Sequence, residues 1–452
     1  MIIFKILLGL IGLGVVVFVH ELGHFLAARL VGIEVEAFSI GWGRPLLKKK
    51  IRNVEYRLGM FPLGGYCKMK GENEFREAWE NSRDEIAPVK GTFFGVSPLR
   101  RIVVSLAGPL FNLIFAVLVL SVIWGAGFEI STLGNRIVLA SEINGGSRYP
   151  ADEGGLKTGD RILEIDGKKT SYYHEIQEII AVNPEKPMDF TVDRDGEILR
   201  FNIRPSLEKS TGAGKIGVYF WNDPVIEELN PGGPAAAAGL RKGDRFLRVN
   251  GEEIPYNAAL TGILEKKPES LAVDYERDGK ESHTVLVPVY TEDGNVDLGI
   301  GYGYIRYRSP PLSPPAALAR GTAEAWKTLT VSLRSLRLLF KGIDLTQAVS
   351  GPVRITYMVG NIAAEGFGQS FAKGIQSMAN FLALISIALC IMNLLPLPVL
   401  DGGMALLFIV ESIKRKPLHP RAISAFQTVG VALIFGLMIF AVFGDILYLV
   451  RR

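Results

Sequence analysis

Hydrophobic residues are distributed very unevenly along this chain of 452 residues. Long apolar stretches lie before residue 30, at 102–128 and over most of the chain after 380, whereas 135–310 carries frequent charges and turn residues. A helix needs about 20 apolar residues to cross the hydrocarbon core of a bilayer. The pattern therefore predicts four transmembrane helices, at Ile2–Leu30, Ile102–Phe128, Phe381–Leu400 and Ala422–Phe443.

The polar region between the second and third spans contains an internal repeat. Gly155–Gly167 reads Gly-Leu-Lys-Thr-Gly-Asp-Arg-Ile-Leu-Glu-Ile-Asp-Gly, and Gly239–Gly251 reads Gly-Leu-Arg-Lys-Gly-Asp-Arg-Phe-Leu-Arg-Val-Asn-Gly. Each copy is followed by a helix-like stretch, an alternating strand pattern and an Asp-Gly pair, at Asp195 and Asp278. Because Asp-Gly between two alternating segments favours a tight hairpin turn, the repeat predicts two related modules that mix helix and strand.

This repeated pattern resembles the PDZ domains of bacterial proteases, which bind extended peptides by adding a strand to a sheet edge. The alternative is that the two modules are spacers with unused grooves. The resulting fold class is a multi-pass α-helical membrane protein with four transmembrane helices, a short membrane-associated β-segment and two inserted PDZ domains (α+β). The predicted segments are 1–134 with the first two spans, 135–221 and 222–308 for the PDZ domains, 309–380, and 381–452 with the last two spans.

The predicted segment 309–380 begins with a proline-rich stretch. Ser309–Pro315 has the composition of a stiff linker. Ala316–Gly342 then places apolar residues at helical spacing among basic ones, which predicts an amphipathic helix on the membrane surface, in contact with lipids.

Charge and cysteine content argue against a nucleic-acid-binding protein and against a disulfide-stabilised one. The formal net charge is only +4, and no Lys/Arg tract is interleaved with aromatic residues, so we expect no nucleic acid as a partner. Cys67 and Cys390 are far apart in sequence and outside the polar middle region, so no disulfide framework is indicated and both are interpreted as small buried hydrophobic residues.

The basic residues of the connecting loops predict an orientation, because Lys and Arg accumulate on the cytoplasmic side of a membrane. The loops after the first and third spans are therefore predicted to be cytoplasmic, and 135–310 to lie on the opposite side. The resemblance to bacterial proteases implies that this is the periplasmic side of a bacterial cytoplasmic membrane. Arg451 and Arg452 at the chain end oppose this orientation. The basic residues on which this orientation rests are Arg44, Lys48, Lys49, Lys50, Arg52, Arg100, Arg101, Lys414, Arg415, Lys416 and Arg421.

The first predicted span ends in a candidate zinc motif, because His20–His24 reads His-Glu-Leu-Gly-His. Histidines four apart share one face of a helix and can both bind zinc, and Glu21 lies where it can take a proton from the attacking water. Ionisable groups inside an apolar helix are costly in lipid unless they bind something or line a wet cavity. The alternative is a polar patch that joins helices.

A catalytic zinc ion usually takes three protein ligands. Ala27 and Leu30 exclude the extended motif in which a third histidine follows on the same segment. Glu34 and Glu36 are the nearest downstream carboxylates, but they follow the end of the span. Asp401 is the better candidate, because it lies at the end of the third predicted span, at the same membrane depth as the histidines.

Several motifs together resemble the site-2 protease family of intramembrane zinc metalloproteases. They are the His20–His24 segment, the run Asn393–Gly403 (Asn-Leu-Leu-Pro-Leu-Pro-Val-Leu-Asp-Gly-Gly), Gly108-Pro109 with Asn112, and the PDZ-like repeats. The resemblance implies one Zn²⁺ per chain held by His20, His24 and Asp401, with Glu21 as catalytic base. It also implies that Asn393 helps to hold the substrate. Met404 departs from the family pattern, in which histidine commonly follows the two glycines.

The family resemblance also indicates what the protein binds. Its substrates would be single-span membrane proteins of the anti-sigma factor type, already trimmed by another protease, or remnant signal peptides. Met60–Lys70 resembles a re-entrant β-structure whose Gly64, Gly65 and Tyr66 pair with an unwound substrate; an ordinary cytoplasmic hairpin is the alternative. Ser350–Val353 resembles a family element without a catalytic role. A further alternative is a membrane-anchored PDZ scaffold without proteolytic activity.

Overall fold

The computed structural model describes residues 2–143, 146–208, 212–290, 296–338 and 351–450. Its internal contacts divide the chain into two units. The helical unit comprises the chain up to Phe128, Pro310–Arg337 and the described part of Leu345–Arg451, and the inserted unit comprises Glu129–Ser309.

The elements follow one another in chain order. The helices are α1 (Ile2–Leu30), α2 (Glu72–Glu80), α3 (Pro98–Ala126), α4 (Ala140–Ile143), α5 (Pro150–Glu153), α6 (Tyr173–Ala181), α7 (Pro234–Ala237), α8 (Leu260–Leu264), α9 (Pro314–Leu338), α10 (Pro352–Gln369), α11 (Phe371–Leu394), α12 (Asp401–Lys414) and α13 (Pro420–Val450). The strands are β1 (Val35–Ile51), β2 (Val54–Met69), β3 (Glu129–Thr132), β4 (Ile137–Leu139), β5 (Arg161–Ile165), β6 (Lys168–Lys169), β7 (Met188–Arg194), β8 (Glu197–Ile203), β9 (Ser206–Leu207), β10 (Gly214–Lys215), β11 (Val218–Phe220), β12 (Ile226–Leu229), β13 (Arg245–Val249), β14 (Glu252–Glu253), β15 (Leu271–Arg277), β16 (Lys280–Leu286), β17 (Val289–Tyr290), β18 (Val296–Asp297), β19 (Ile300–Tyr302) and β20 (Ile305–Arg308).

Four helices of the described chain, α1, α3, α11 and α13, are long and apolar enough to cross a membrane. Their length and composition confirm the predicted number of spans. The bounds of the third span were predicted wrongly, because α11 begins ten residues before Phe381 and ends at Leu394. Pro396 and Pro398 lack the backbone N–H that a continuing helix needs, so the helix stops before them. Asp401 consequently opens the separate helix α12 instead of closing the third span.

The predicted surface helix at Ala316–Gly342 corresponds to α9, which begins at Pro314 within the predicted proline-rich linker. Residues 339–342 lie outside the described part of the chain, as does Ser350. The remainder of the Ser350–Val353 segment provides the N-cap Gly351 and the first residues of α10, a helix whose bounds were not predicted.

The β-structure after α1 is larger than the predicted segment Met60–Lys70. β1 and β2 form a long antiparallel pair, in which residues 37–40 pair both with 55–58 and with 65–68. The first part of β1 therefore has a neighbour on each side, and 65–69 lies at an edge of the sheet in the described structure. Phe38 packs against Phe18 and Phe25 of α1, with ring centroids 5.9 and 5.4 Å away. This packing holds the sheet beside α1.

The described part of the inserted unit contains two four-stranded sheets with equivalent strand orders, β6-β5-β7-β8 and β14-β13-β15-β16. Both predicted hairpins are confirmed, since Arg194 pairs with Glu197 and Arg277 with Lys280. The turn residues have positive φ, at 52° and 92° for Asp195 and its following glycine, as a type I′ turn requires. Each sheet has its own apolar core, one around Phe190 and one around Phe246.

Each repeat buries the aspartate of its Gly-Asp pair. Asp160 and Asp244 are both 1% exposed. Asp160 accepts hydrogen bonds of 2.7 and 2.8 Å from Arg194, and Asp244 accepts bonds of 2.7 and 2.6 Å from Arg277. A buried carboxylate needs such partners, so the repeated aspartate is explained by folding and not by peptide chemistry.

The chain enters and leaves the inserted unit through one ladder. β3 pairs antiparallel with β20, with Glu129 opposite Arg308 and Thr132 opposite Ile305. The two ends of the unit are therefore adjacent.

Candidate metal centre

The two histidines of the predicted zinc motif lie on the same face of α1. Nε2 of His20 is 3.2 Å from Nε2 of His24, and the rings meet edge to face with centroids 4.8 Å apart. One helical turn separates the two residues, so the Nε2 atoms of both imidazoles can face the same position.

Asp401 reaches the same point from a distant part of the sequence. Its Oδ2 lies 3.2 Å from Nε2 of His20 and 3.4 Å from Nε2 of His24. The two glycines that follow it permit this geometry, since a Cβ on Gly402 would lie 2.3 Å from the Leu394 carbonyl oxygen and one on Gly403 only 1.9 Å from that of Leu397. The start of α12 can therefore fold tightly against the end of α11 and the loop after it.

The spacing of the three donor atoms fits a zinc ion. Zinc binds histidine nitrogen and carboxylate oxygen at about 2.0–2.1 Å, so two ligand atoms of a tetrahedral site lie about 3.3–3.4 Å apart. The observed separations of 3.2, 3.2 and 3.4 Å match that edge length. In the described chain, the ion-pair partners of Asp401 are these imidazoles, so no Lys or Arg competes for its carboxylate. Two neutral imidazoles and one carboxylate form a donor set that suits zinc and leaves a fourth position open.

The second nitrogen of each imidazole contacts α3. Nδ1 of His24 lies 2.9 Å from the carbonyl oxygen of Val104, which can only accept. Nδ1 of His24 therefore carries the hydrogen, and its Nε2 offers a lone pair to the centre. Nδ1 of His20 lies 3.2 Å from Nδ2 of Asn112.

Glu21 faces the edge of the β-sheet. It interacts electrostatically with His20, His24 and Asp401, and its carboxylate also interacts with the backbone of Cys67. A Cβ placed on Gly65 would lie 3.1 Å from Cγ of Glu21. The candidate base thus lies between the three donors and the edge of β2.

The predicted substrate residues fall into two places. Gly64, Gly65 and Tyr66 lie in β2, where Gly65 pairs with Ile40, and the Tyr66 hydroxyl accepts a 2.8 Å hydrogen bond from Arg57. Asn393 lies in the last turn of α11 and is half-buried. No hydrogen bond joins it to the three donors in the described structure, so its role stays a prediction.

A cavity of about 630 Å³ adjoins the edge of β2. Cys67, Met69 and Phe75 line one part of it, and Met404 and Gln427 another. Gln427 donates a long contact of 3.9 Å to the sulfur of Met404. Met404, which departs from the family pattern, therefore lines this cavity and is not one of the three donors His20, His24 and Asp401.

Sequence reasoning missed the contribution of α3. Its Val104 acts through a backbone carbonyl, which no side-chain pattern reveals. Asn112 was noted only as part of a motif, although an amide within an apolar span was itself a signal.

The comparisons with known proteins extend over nearly the whole chain. A family model of peptidase family M50 matches residues 8–437, which include the motif of α1 and Asp401. A putative zinc metalloprotease of Treponema pallidum is 36% identical and covers 98% of this chain and 99% of its own. The regulator of sigma E protease of Haemophilus influenzae is 31% identical, with coverages of 97% and 98%. The regulator of sigma-E protease RseP of Escherichia coli is 30% identical, with coverages of 96% and 97%.

Proposed function

The chain belongs to peptidase family M50, the site-2 type zinc metalloproteases, and on this premise we propose that it hydrolyses peptide bonds within the transmembrane segments of other membrane proteins. The observation that carries the proposal is the convergence of His20, His24 and Asp401, whose donor atoms lie 3.2–3.4 Å apart. Both histidines belong to an apolar helix long enough to cross a membrane, where ionisable groups are costly unless they bind something.

In this proposal, His20, His24 and Asp401 hold one zinc ion per chain, and Glu21 is the catalytic base. When bound, zinc supplies a Lewis acid that polarises the peptide carbonyl and lowers the pKa of the attacking water. Glu21 accepts the proton of that water and then delivers it to the leaving nitrogen. Its side chain lies beside the sheet edge, where a Cβ on Gly65 would be 3.1 Å from Cγ of Glu21.

The edge of β2 is proposed to hold the substrate in an extended form. A transmembrane helix satisfies its backbone groups internally, so unwinding it in lipid is unfavourable without replacement hydrogen bonds. The segment Gly64–Tyr66 lies in the edge strand next to Glu21, which supports strand pairing as the source of those bonds. Asn393 is proposed to steady the peptide.

The proposed substrates are single-span membrane proteins. The relatives from Haemophilus influenzae and Escherichia coli each carry the name regulator of sigma-E protease. By that similarity we assign this chain to an envelope stress response of the sigma-E type, with a pretrimmed anti-sigma factor as substrate and remnant signal peptides as a second class.

The relatives and the four apolar helices support a location in the bacterial inner membrane. We further propose that the two repeats are PDZ domains, at 135–221 and 222–308, on the periplasmic side, with the metal centre toward the cytoplasm. The segments 1–134, 309–380 and 381–452 then form the membrane part. A PDZ scaffold without activity is disfavoured, because it would not need two histidines, a glutamate and an aspartate around one point.

The proposal is tested with Glu21→Gln and Asp401→Asn variants and a pretrimmed single-span substrate. We expect Glu21→Gln to lower the cleavage rate by about 10²–10⁴-fold, since it removes general-base catalysis, and to keep zinc near one ion per chain. Asp401→Asn replaces an anionic ligand by a neutral amide, so both cleavage and bound zinc should fall. Cleavage and metal analysis of the purified proteins measure both. Wild-type cleavage by either variant would refute the assignment.

A further inference from the structure

The face of α3 that meets the candidate metal centre is built from residues one helical turn apart. Val104 offers its carbonyl to His24, Gly108 leaves open space beside both rings, and Asn112 places its amide against His20. Residues at these spacings share one side of a helix. The Val104 carbonyl fixes the tautomer of His24, whereas the proposed function leaves Asn112 on the same face without a role.

We infer that Asn112 is a positioning residue whose side-chain oxygen accepts the Nδ1 hydrogen of His20 and thereby presents Nε2 of His20 to the metal. This inference rests on the proposed zinc site. It gives His20 the same support that the Val104 carbonyl gives His24.

The tautomer that His20 needs in order to bind zinc decides which side-chain atom of Asn112 should face it. An imidazole that binds zinc through Nε2 is neutral and holds its hydrogen on Nδ1. With the amide placed so that Nδ2 of Asn112 is 3.2 Å from that Nδ1, two donors face each other. A half-turn of the amide exchanges its oxygen and nitrogen with little change of shape, and the oxygen then receives the hydrogen. In the placement with nitrogen forward, the Asn112 oxygen is buried and lacks a partner in the described structure, so the half-turn also removes that unpaired acceptor.

Burial and packing restrict Asn112 to this contact. The residue is 0% exposed. Its backbone carbonyl accepts a 2.9 Å hydrogen bond from the hydroxyl of Ser386 on α11, which ties this turn of α3 to the neighbouring helix. A buried amide held in this way can orient an imidazole without losing much further conformational freedom.

The competing interpretation is that Asn112 only joins apolar helices by filling space between them. The two interpretations predict opposite orders for two substitutions. Asn112→Asp keeps the shape and the acceptor, and carboxylate–histidine–zinc arrangements are common in metal sites. Asn112→Leu keeps the volume but removes the acceptor. If the residue only fills space, a buried unpaired carboxylate should be the more damaging change.

The test measures zinc affinity of the purified full-length protein in detergent by competition with a chelator. Loss of an outer hydrogen-bond partner typically weakens metal binding about 10–100-fold, so we expect that loss for Asn112→Leu and an affinity within roughly threefold of wild type for Asn112→Asp. The absorption of bound Co²⁺ should change for Asn112→Leu, because the His20 ring loses its fixed orientation. Ser121→Ala is the matched control on α3, since the Ser121 hydroxyl bonds to a carbonyl of its own helix.

Wild-type affinity in Asn112→Leu, or weaker binding by Asn112→Asp than by Asn112→Leu, would overturn the inference. If Asn112→Leu does not fold, Asn112→Asp decides. Zinc affinity near that of wild type supports the inference, because a buried carboxylate without a donor should be damaging, and a loss of affinity refutes the inference. A wild-type protein without zinc affinity would instead overturn the proposed function, so the two failures are distinguishable.

Discussion

Among single residues, Gly108 sets a steric limit on the two imidazoles of the candidate metal centre. A Cβ at this position would lie 2.3 Å from Nε2 of His24 and 2.8 Å from Cε1 of His20, well inside contact distance. Both imidazoles are tethered to α3 through their other nitrogens, so they cannot move away without breaking those contacts. The glycine of the Gly-Pro pair in α3 is therefore explained by the space that the two histidine rings need.

Gly108→Ala should consequently weaken zinc binding. We expect a loss of roughly tenfold or more in affinity, comparable to the loss of an outer contact, and a parallel fall in cleavage. Gly14→Ala is the control, because it adds the same methyl group to an apolar helix at a position with nothing within 4 Å. Chelator competition measures both variants, and equal affinities would contradict the steric account.

Between elements, a buried ion pair joins the helix that supports the histidines to the helix that begins with Asp401. Arg101 of α3 donates to both carboxylate oxygens of Glu411 in α12, at 3.0 and 2.8 Å. Arg101 is 4% and Glu411 7% exposed, and the guanidinium lies 4.9 Å from the centre of the Phe408 ring. Since α12 begins with Asp401, this ion pair helps to fix the position of Asp401 relative to His20 and His24.

Removing one member of the pair should destabilise the protein strongly. Glu411→Leu leaves the charge of Arg101 buried without a partner, and Arg101→Met does the same to Glu411. Each change should lower the free energy of unfolding by about 3–5 kcal/mol. The double variant should recover most of that loss, because apolar residues of similar volume often replace a buried pair at little cost. Denaturant unfolding in detergent measures the cycle, and single variants within 1 kcal/mol of wild type would contradict it.

For the whole molecule, the ladder between β3 and β20 makes the inserted unit removable. Thr132 and Ile305 stand opposite each other, so a two-residue Asn-Gly turn can join them after deletion of 133–304. The two repeats have separate cores and separate sheets, which makes the insertion a structure of its own.

This deletion tests whether the inserted unit excludes substrates that still carry bulky outer domains. We expect the full chain to cut only pretrimmed substrate, and the shortened chain to keep zinc and to cut both pretrimmed and untrimmed substrate. Glu21→Gln in the same background should abolish both cleavages. Unchanged rejection of untrimmed substrate, measured in vesicles with both substrates, would argue against a size filter.

Local sequence determined much of this protein. Apolar runs of sufficient length predicted four spans, because the requirement to bury backbone groups in lipid acts on each segment independently. The His20–His24 motif and the Asp-Gly hairpins are equally local, since helical and turn geometry follow from residues a few positions apart. The predicted end of the third span was wrong, because Pro396 and Pro398 end the helix although the sequence stays apolar up to Leu400.

Contacts between remote segments were decided only by the tertiary structure. Asp401 was chosen as a ligand candidate by its chemistry and predicted depth, but its distance from the histidines depends on how α12 folds against α11 and on the Arg101–Glu411 pair. The carbonyl of Val104 and the amide of Asn112 contact the site from α3 for the same reason. Sequence patterns record the preferences of each segment for helix, strand, lipid or water, whereas the ångström-scale convergence of donor atoms arises from packing among segments that are distant along the chain.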